Sequence, residues 1–265
     1  SLTAMEQPGP VDLRNKGEVD VGQLCLPGAV GTLATSLGHV FRGEDISVGP
    51  GFVYVSRPTG SQPPTKCVLM AHDLHGCQSG RHKQLADALT TQGWLVVLPD
   101  FLVGFGSATW CDLVKSFCHD YLLPWLEETG VTMLQCFGFC VGAVAAAMLA
   151  QATAEHLHDG AEAPVLVGTV FAYPTFSRPY IRDHEELQKL IASIEQPMLV
   201  MPVADDAQEV RSGGLIEQLH KAHGLNVEIV EFKAVHGFMT QGNISDTDVR
   251  ESLEWAIELS CEFIH

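Results

Sequence analysis

The residues best suited to chemistry in this sequence are those at positions 138–142, which read Gly-Phe-Cys-Val-Gly. They end an apolar run and begin an alanine-rich segment, so a strand is expected to turn into a helix here. The G-x-S-x-G nucleophile elbow occupies the same kind of junction, and its glycines allow a sharp turn that exposes the central side chain. Cys140 takes the place of the serine. The pattern predicts that Cys140 is a nucleophile and that the amide of Val141 faces a developing oxyanion.

Two further reactive groups follow later predicted strands. Asp205 and Asp206 come directly after one of them, and His236 comes after the next. Because each group follows a different strand, all three sites can meet at one edge of a sheet. The order nucleophile, acid, histidine is that of the α/β-hydrolases. His236 would take the thiol proton and return a proton to the leaving group, while an aspartate would fix its tautomer.

The loop after a third predicted strand contains His72, Asp73, Leu74 and His75. In α/β-hydrolases this loop supplies the second oxyanion donor, which here would be the amide of Leu74. Asp73 alternatively caps a helix, a common place for aspartate. The histidines of this region, including His82, do not stand at recognised ligand spacing with cysteines or carboxylates. We therefore expect neither a metal site nor a cofactor.

Composition narrows the classes of partner. The net charge is −17 with only 15 lysines and arginines, which argues against nucleic-acid binding. No apolar stretch is long enough to cross a bilayer, and a basic, apolar leader is not seen at the start. Eight cysteines in 265 residues are too sparse for a disulfide scaffold. These observations predict a cytoplasmic protein that acts on a small molecule, with its oligomeric state unknown.

The elements that position these residues alternate along the chain. Apolar runs predict strands, and amphipathic segments between them predict helices. The strands are predicted at 52–55, 67–71, 94–98, 133–137, 165–172, 197–203 and 227–232, and the main helices at 81–92, 107–128, 141–156, 183–194, 208–223 and 246–263. Such alternation predicts an α/β fold of three layers, with a mostly parallel sheet flanked by helices. We expect one domain over residues 1–265, of which 1–40 form an irregular lead segment.

Together these residues resemble the dienelactone hydrolase family, whose members have a cysteine nucleophile, and the resemblance runs from about Phe52 to the C-terminus. It is carried by the cysteine elbow, by the sequence His-Gly-Phe at 236–238, by Gly-Trp to Pro-Asp at 93–100, and by the loop at 72–76. The lead segment, with Cys-Leu-Pro-Gly at 25–28, is loosely similar to eukaryotic members. The resemblance implies hydrolysis of esters or lactones through a thioacyl intermediate.

The resemblance also implies roles for individual residues. Cys140, Asp205 and His236 would form the triad, because Asp205 is nearer than Asp206 to the family's acid position. Asp206 is then placed to cap the helix that follows. Asp73 corresponds to the family glutamate that pairs with the resting thiol, and the substrate pocket would include Tyr173 and Phe238.

The sequence departs from the family pattern where bacterial members hold a substrate carboxylate. The corresponding loops, at 101–104 and 239–241, contain no arginine. Because uncharged groups do not replace a bidentate guanidinium, a carboxylate-bearing dienelactone is not the expected substrate. Arg81 or Arg178 could serve instead, or each is a solvated surface charge.

A second hypothesis belongs to another class. The chain could be a catalytically silent relative that binds a ligand or senses redox state and keeps the elbow for packing. The eight cysteines and the missing arginines favour it, whereas the ordered nucleophile, acid and histidine favour the enzyme.

Overall fold

The computed structural model describes residues 40–101, 110–158, 164–177 and 180–264. Its eight strands are β1 (Glu44–Val48), β2 (Gly51–Ser56), β3 (Lys66–Ala71), β4 (Leu95–Pro99), β5 (Met133–Phe139), β6 (Val165–Ala172), β7 (Met198–Met201) and β8 (Val227–Ile229). They form one sheet in the order β1-β2-β4-β3-β5-β6-β7-β8. The first two strands are antiparallel to their neighbours, and all other pairs are parallel.

The described α-helices are α1 (His82–Thr90), α2 (Trp110–Phe117), α3 (Leu123–Glu128), α4 (Gly142–His158), α5 (His184–Ala192), α6 (Leu215–Ala222) and α7 (Thr247–Ile264). A π-helical segment, Cys118–Leu122, joins α2 to α3. No helix in the described ranges is long and apolar enough to cross a membrane.

The helices cover both faces of the sheet, as the side chains of β5 show. Leu134 and Cys136 belong to one hydrophobic cluster, while Phe137 and Phe139 belong to the other. Successive residues of a strand point to opposite faces, so each face has its own apolar layer. Parallel strands buried on both faces are continuous apolar runs, which is why the sequence revealed them. The predicted three-layer α/β fold with a mostly parallel sheet is confirmed.

Two predicted helices differ from the structure. The segment at 208–223 is a short 3-10 turn, Gln208–Val210, followed by α6. Gly213 lies between them with φ +74°, a left-handed conformation that ends helical structure and suits glycine. The segment at 107–128 is interrupted by the π-helical turn, and Pro124 lies in the first turn of α3, where a missing N–H is tolerated. Residues 1–39 of the predicted lead segment lie outside the described residues.

Candidate active site

Cys140 lies in the sharp turn between β5 and α4. Its φ is +53°, an unfavourable value for a residue with a side chain, and it is fully buried. The flanking glycines allow this turn. A Cβ on Gly138 would lie 2.5 Å from Cα of Ala143, and one on Gly142 would collide with the carbonyl oxygen of Ala71. The glycines therefore let the elbow pack against the end of β3, and the predicted strained turn is present.

His236 pairs with Asp206 and not with Asp205. Its Nδ1 lies 2.6 Å from Oδ1 of Asp206, and both side chains are buried. Asp205 is exposed, so the expectation that it contacts His236 is wrong. The cause is the turn after β7: the amide of Val203 donates to Oδ2 of Asp206 at 2.8 Å, and the amide of Asp206 donates back to the carbonyl of Val203 at 3.1 Å. This turn directs residue 206 inward, so Asp206 orients the histidine instead of capping a helix.

The environment of His236 favours its protonated form. Burial lowers its pKa, but the hydrogen bond to Asp206 and the nearby Cys140 thiol raise it by more. The net result is a pKa raised from 6.5 to about 10. Among the described residues its Nε2 has no hydrogen bond of good geometry. Since Nδ1 is held by Asp206, Nε2 is the nitrogen available to Cys140. The Sγ of Cys140 also lies 3.6 Å from Oγ1 of Thr175. This arrangement can stabilise a thiolate beside an imidazolium.

Asp73 is held by hydrogen bonds from two loops. Its Oδ2 accepts hydrogen bonds from Oγ1 of Thr240 at 2.6 Å and Nε2 of Gln241 at 2.9 Å, and its Oδ1 accepts from the amide of His75 at 2.9 Å. Burial raises the pKa of Asp73, but His82 and these donors hold it below its ordinary value. Through these donors Asp73 joins the loop after β3 to the loop after His236. Its predicted pairing with the Cys140 thiol stays a prediction.

Two buried histidines fix the main chain around Asp73. His82 accepts the amide of Asp73 at Nε2 (3.1 Å) and contacts the carbonyl of Ser79 through Nδ1 (2.8 Å). His72 accepts the amide of Phe101 at Nε2 (3.0 Å) and contacts the carbonyl of Asp73 through Nδ1 (2.6 Å). Because Nε2 of His72 accepts an amide, this ring is neutral with its proton on Nδ1, and burial lowers the pKa of His72. Within the described ranges, no group of three His, Cys, Asp or Glu side chains is arranged to hold a metal.

The predicted oxyanion donors lie on adjacent segments, because the elbow packs against the end of β3. Around Leu74, the amides of Asp73, His75 and Gly76 all have acceptors. In the described part of the chain, the amides of Leu74 and Val141 have none. Their assignment as oxyanion donors stays a prediction.

Tyr173 and Phe238 pack behind His236. The Tyr173 ring lies 5.0 Å from the His236 ring and 5.6 Å from the Phe238 ring, and both aromatic residues are fully buried. The hydroxyl of Tyr173 donates to Oγ1 of Thr240 at 2.8 Å, because the hydroxyl of Thr240 is itself donated to Asp73. Both rings thus support the histidine, and their predicted place in the substrate pocket stays a prediction.

Arg81 is neither a substrate clamp nor a surface charge. It is buried, and its guanidinium donates to the carbonyls of Phe238 (2.7 Å), Met239 (3.1 Å) and Gly242 (2.7 Å). Burial lowers its pKa. Arg81 thus holds the loop that follows His236. Arg178, the other candidate, lies outside the described residues.

Sequence reasoning missed three residues of this arrangement. Thr175 contacts the thiol, and Thr240 and Gln241 hold Asp73. Thr240 and Gln241 follow the apolar Phe238 and Met239. This change from apolar to polar residues was the one local sign that they make specific contacts. Nothing in the local sequence distinguishes Thr175 from an ordinary loop residue.

Comparisons with known proteins identify the family of the chain. The model of the dienelactone hydrolase family matches residues 52–264. A carboxymethylenebutenolidase homolog of Xenopus tropicalis is 33% identical over 63 residues, which are 24% of this chain and 25% of that protein. The match therefore spans only about a quarter of that relative's length.

Solved structures share the fold at low identity. An esterase of Pseudomonas putida has a TM-score of 0.62 and 16% identity, over 92% of this chain and 91% of that one. A hyperthermophilic esterase of Pyrobaculum calidifontis has a TM-score of 0.61 and 16% identity, covering 96% and 93%. A dienelactone hydrolase of Anabaena variabilis has a TM-score of 0.54 and 16% identity, covering 83% and 96%.

The family match covers most of the chain, including residues 138–142, Asp206 and His236. The resemblance noted in the sequence is confirmed at the level of the family. The chain belongs to the dienelactone hydrolase family.

Proposed function

We propose that this protein hydrolyses carboxylic esters or lactones through a thioacyl intermediate on Cys140, with His236 as the acid and base and Asp206 as its orienting acid. The observation that carries the proposal is the buried contact between Asp206 and His236, next to a cysteine in a nucleophile elbow. Asp206 replaces Asp205 in this assignment.

In the first half of the reaction the Cys140 thiolate attacks the carbonyl carbon, while Nε2 of His236 holds the thiol proton. The new C–S bond places negative charge on the carbonyl oxygen, where the amides of Leu74 and Val141 would donate to it. Collapse of this intermediate expels the alkoxide, which takes the proton from His236.

In the second half, His236 removes a proton from water, and the resulting hydroxide attacks the thioester carbon. The C–S bond breaks, the acid leaves, and the thiolate–imidazolium pair is restored. Asp206 keeps the Nδ1 proton in place throughout and stabilises the imidazolium.

The substrate is proposed to be uncharged near the reacting bond. Arg81, the arginine described at the site, donates its hydrogen bonds to backbone carbonyls. The net charge of −17 also repels anions at long range. A buried carboxylate without a partner is costly. Neutral aryl or short-chain esters and lactones should therefore have a higher kcat/KM than a lactone that carries a free carboxylate, and rates at low and high salt would separate long-range repulsion from pocket chemistry.

The test of the proposal is Cys140→Ala, with Cys261→Ala as the matched control. Cys140→Ala should abolish turnover of p-nitrophenyl acetate while the thermal unfolding transition stays cooperative. Cys261 is only partly buried and distant in sequence from the elbow, so its variant should keep turnover within about twofold. Turnover that survives Cys140→Ala refutes the nucleophile assignment.

Alkylation by iodoacetamide separates the enzyme from a silent binding or redox-sensing relative. Burial raises the pKa of the other described thiols, namely those of Cys67, Cys77, Cys111, Cys118, Cys136 and Cys261. The thiolate is the reactive form, so Cys140 should react fastest and lose this advantage in His236→Ala. Slow, uniform labelling would favour the silent relative. A thiol nucleophile also fits the reducing, cytoplasmic setting that we infer from the cysteines, and the described ones are all free.

A further inference from the structure

A cavity of about 360 Å³ lies beside the proposed site. One wall is the segment after β6, including Thr175, Phe176 and Ser177. The segment after β7 contributes Asp206, Ala207, Glu209 and Val210, and Leu187 of α5 also lines the cavity. This volume is at the lower end of the range for small-molecule sites, so the cavity fits a short chain rather than a polycyclic ligand.

Two of the residues that line the cavity also contact the reacting groups. Thr175 lies 3.6 Å from the Sγ of Cys140, and its amide donates to the carbonyl of Cys140 at 3.0 Å. Asp206, whose carboxylate holds His236, also lines the cavity. An ester that reacts at Cys140 would therefore have this cavity close to it.

The lining combines apolar walls with acidic groups. Phe176, Leu187 and Val210 supply apolar surface. Asp183, which is exposed, and Glu209, which is partly exposed, supply carboxylates and are called the acidic rim here. Among the described lining residues none is lysine or arginine, and His184 is the one basic side chain. An apolar chain gains from burial here, and an anionic end group would face carboxylates.

We propose that this cavity binds the apolar chain of the ester, and that its acidic rim prefers a neutral or cationic end group over a carboxylate. The inference rests on the proposed ester hydrolysis and adds the substrate class that the site selects. The chain can belong to the acyl or to the alcohol part, and matched series of both kinds distinguish the two.

The first test narrows the cavity from either wall. Each methylene that is buried should raise kcat/KM about fourfold until the cavity is full. Ala207→Trp replaces a small exposed lining residue, and Ser177→Trp replaces a small, partly buried one on the segment after β6. If the cavity binds the acyl chain, each variant should lower the kcat/KM of a hexanoyl ester relative to an acetyl ester at least tenfold. If it binds the alcohol chain, each should lower the kcat/KM of a hexyl ester relative to a methyl ester to the same extent. Ser116→Trp is the matched control, because Ser116 is exposed and lines a different cavity, and it should leave both ratios unchanged.

The second test reverses one charge at the rim. Glu209→Lys should raise the kcat/KM of an ester with a terminal carboxylate, relative to one with a terminal ammonium, on the order of tenfold at low salt. Glu155→Lys makes the same change of net charge at the other cavity and should leave that ratio unchanged. An equal effect of the two lysine variants would attribute the selectivity to net charge and overturn the role of the rim.

These outcomes separate this inference from the proposed function. If Cys140→Ala abolishes turnover but neither tryptophan variant alters the chain-length ratios, the mechanism stands and the cavity is not the chain site. If turnover survives Cys140→Ala, the proposed function itself fails.

Discussion

Replacing Asp206 with asparagine tests the central geometric correction. Asp206 serves two groups at once, since Oδ1 contacts Nδ1 of His236 and Oδ2 accepts the amide of Val203. Asparagine has one acceptor oxygen and one NH2 donor in place of these two acceptors. If its oxygen keeps the amide of Val203, its NH2 faces Nδ1 and forces the ring proton onto Nε2. His236 then cannot take the proton of Cys140.

The size of the effect follows from the alternative arrangement. If the amide flips, its oxygen faces Nδ1 correctly, but its NH2 opposes the N–H of Val203 in a buried turn. The lost hydrogen bond costs about 1–3 kcal/mol, so the competent tautomer is reduced about 5- to 150-fold. The imidazolium also loses a carboxylate partner, worth as much as about 4 kcal/mol at an effective dielectric constant of about 20. Together these effects amount to about 5–7 kcal/mol at their upper limit, which predicts a loss in kcat/KM of up to about 5,000- to 100,000-fold.

The assay is p-nitrophenyl acetate turnover, followed by iodoacetamide alkylation of Cys140 as a function of pH. In Asp206→Asn the alkylation profile should move toward the pKa of an ordinary thiol, about 8.5. Asp205→Asn is the matched control, because Asp205 is the exposed neighbour, and it should change kcat/KM less than about twofold. A larger loss in Asp205→Asn than in Asp206→Asn would refute the reasoning.

Three further predictions concern stability and its coupling to the site. Arg81→Lys should lower the free energy of unfolding by about 3 kcal/mol in urea titrations and should reduce kcat. The reason is that a lysine cannot donate to the carbonyls of Phe238, Met239 and Gly242 together. A variant as stable and active as the wild type would contradict this role. Tyr54→Phe should cost about 2 kcal/mol with little change in kcat/KM, because the hydroxyl donates to buried Asp87 and accepts an amide; a cost near zero would show that this contact is not formed. The pKa of His236 is raised from 6.5 to about 10, so its contribution to stability should be complete below about pH 6.5 and be lost as the pH rises through 10. In chemical denaturation, His236→Gln should reduce the fall in the free energy of unfolding over this pH range. An unchanged pH dependence would argue against the raised pKa.

The sequence predicted those features that are encoded locally. The bounds predicted for β6 agree with the observed Val165–Ala172, because a buried parallel strand is an uninterrupted apolar run. Cys140 could be found because the elbow requires glycines on both sides of it.

Other features depend on contacts that the sequence does not display. The choice between two adjacent aspartates is decided by a single backbone turn, which brings Asp206 rather than Asp205 to His236. The partners of Asp73 lie 167 and 168 residues away along the chain. Arg81 is a charged residue in an amphipathic segment, and its burial follows only from where the loop after His236 lies.

The hydrogen bonds of Thr240 have a consequence for the order of events during refolding. Thr240 joins Tyr173 to Asp73, and these partners precede it by 67 and 167 residues. Contacts between residues so far apart close large loops and form slowly, whereas helices form quickly from local contacts. The support beneath the catalytic histidine is therefore among the last parts to assemble. After dilution from denaturant, esterase activity should return later than the far-ultraviolet helix signal, and the lag measures the time taken to assemble this network.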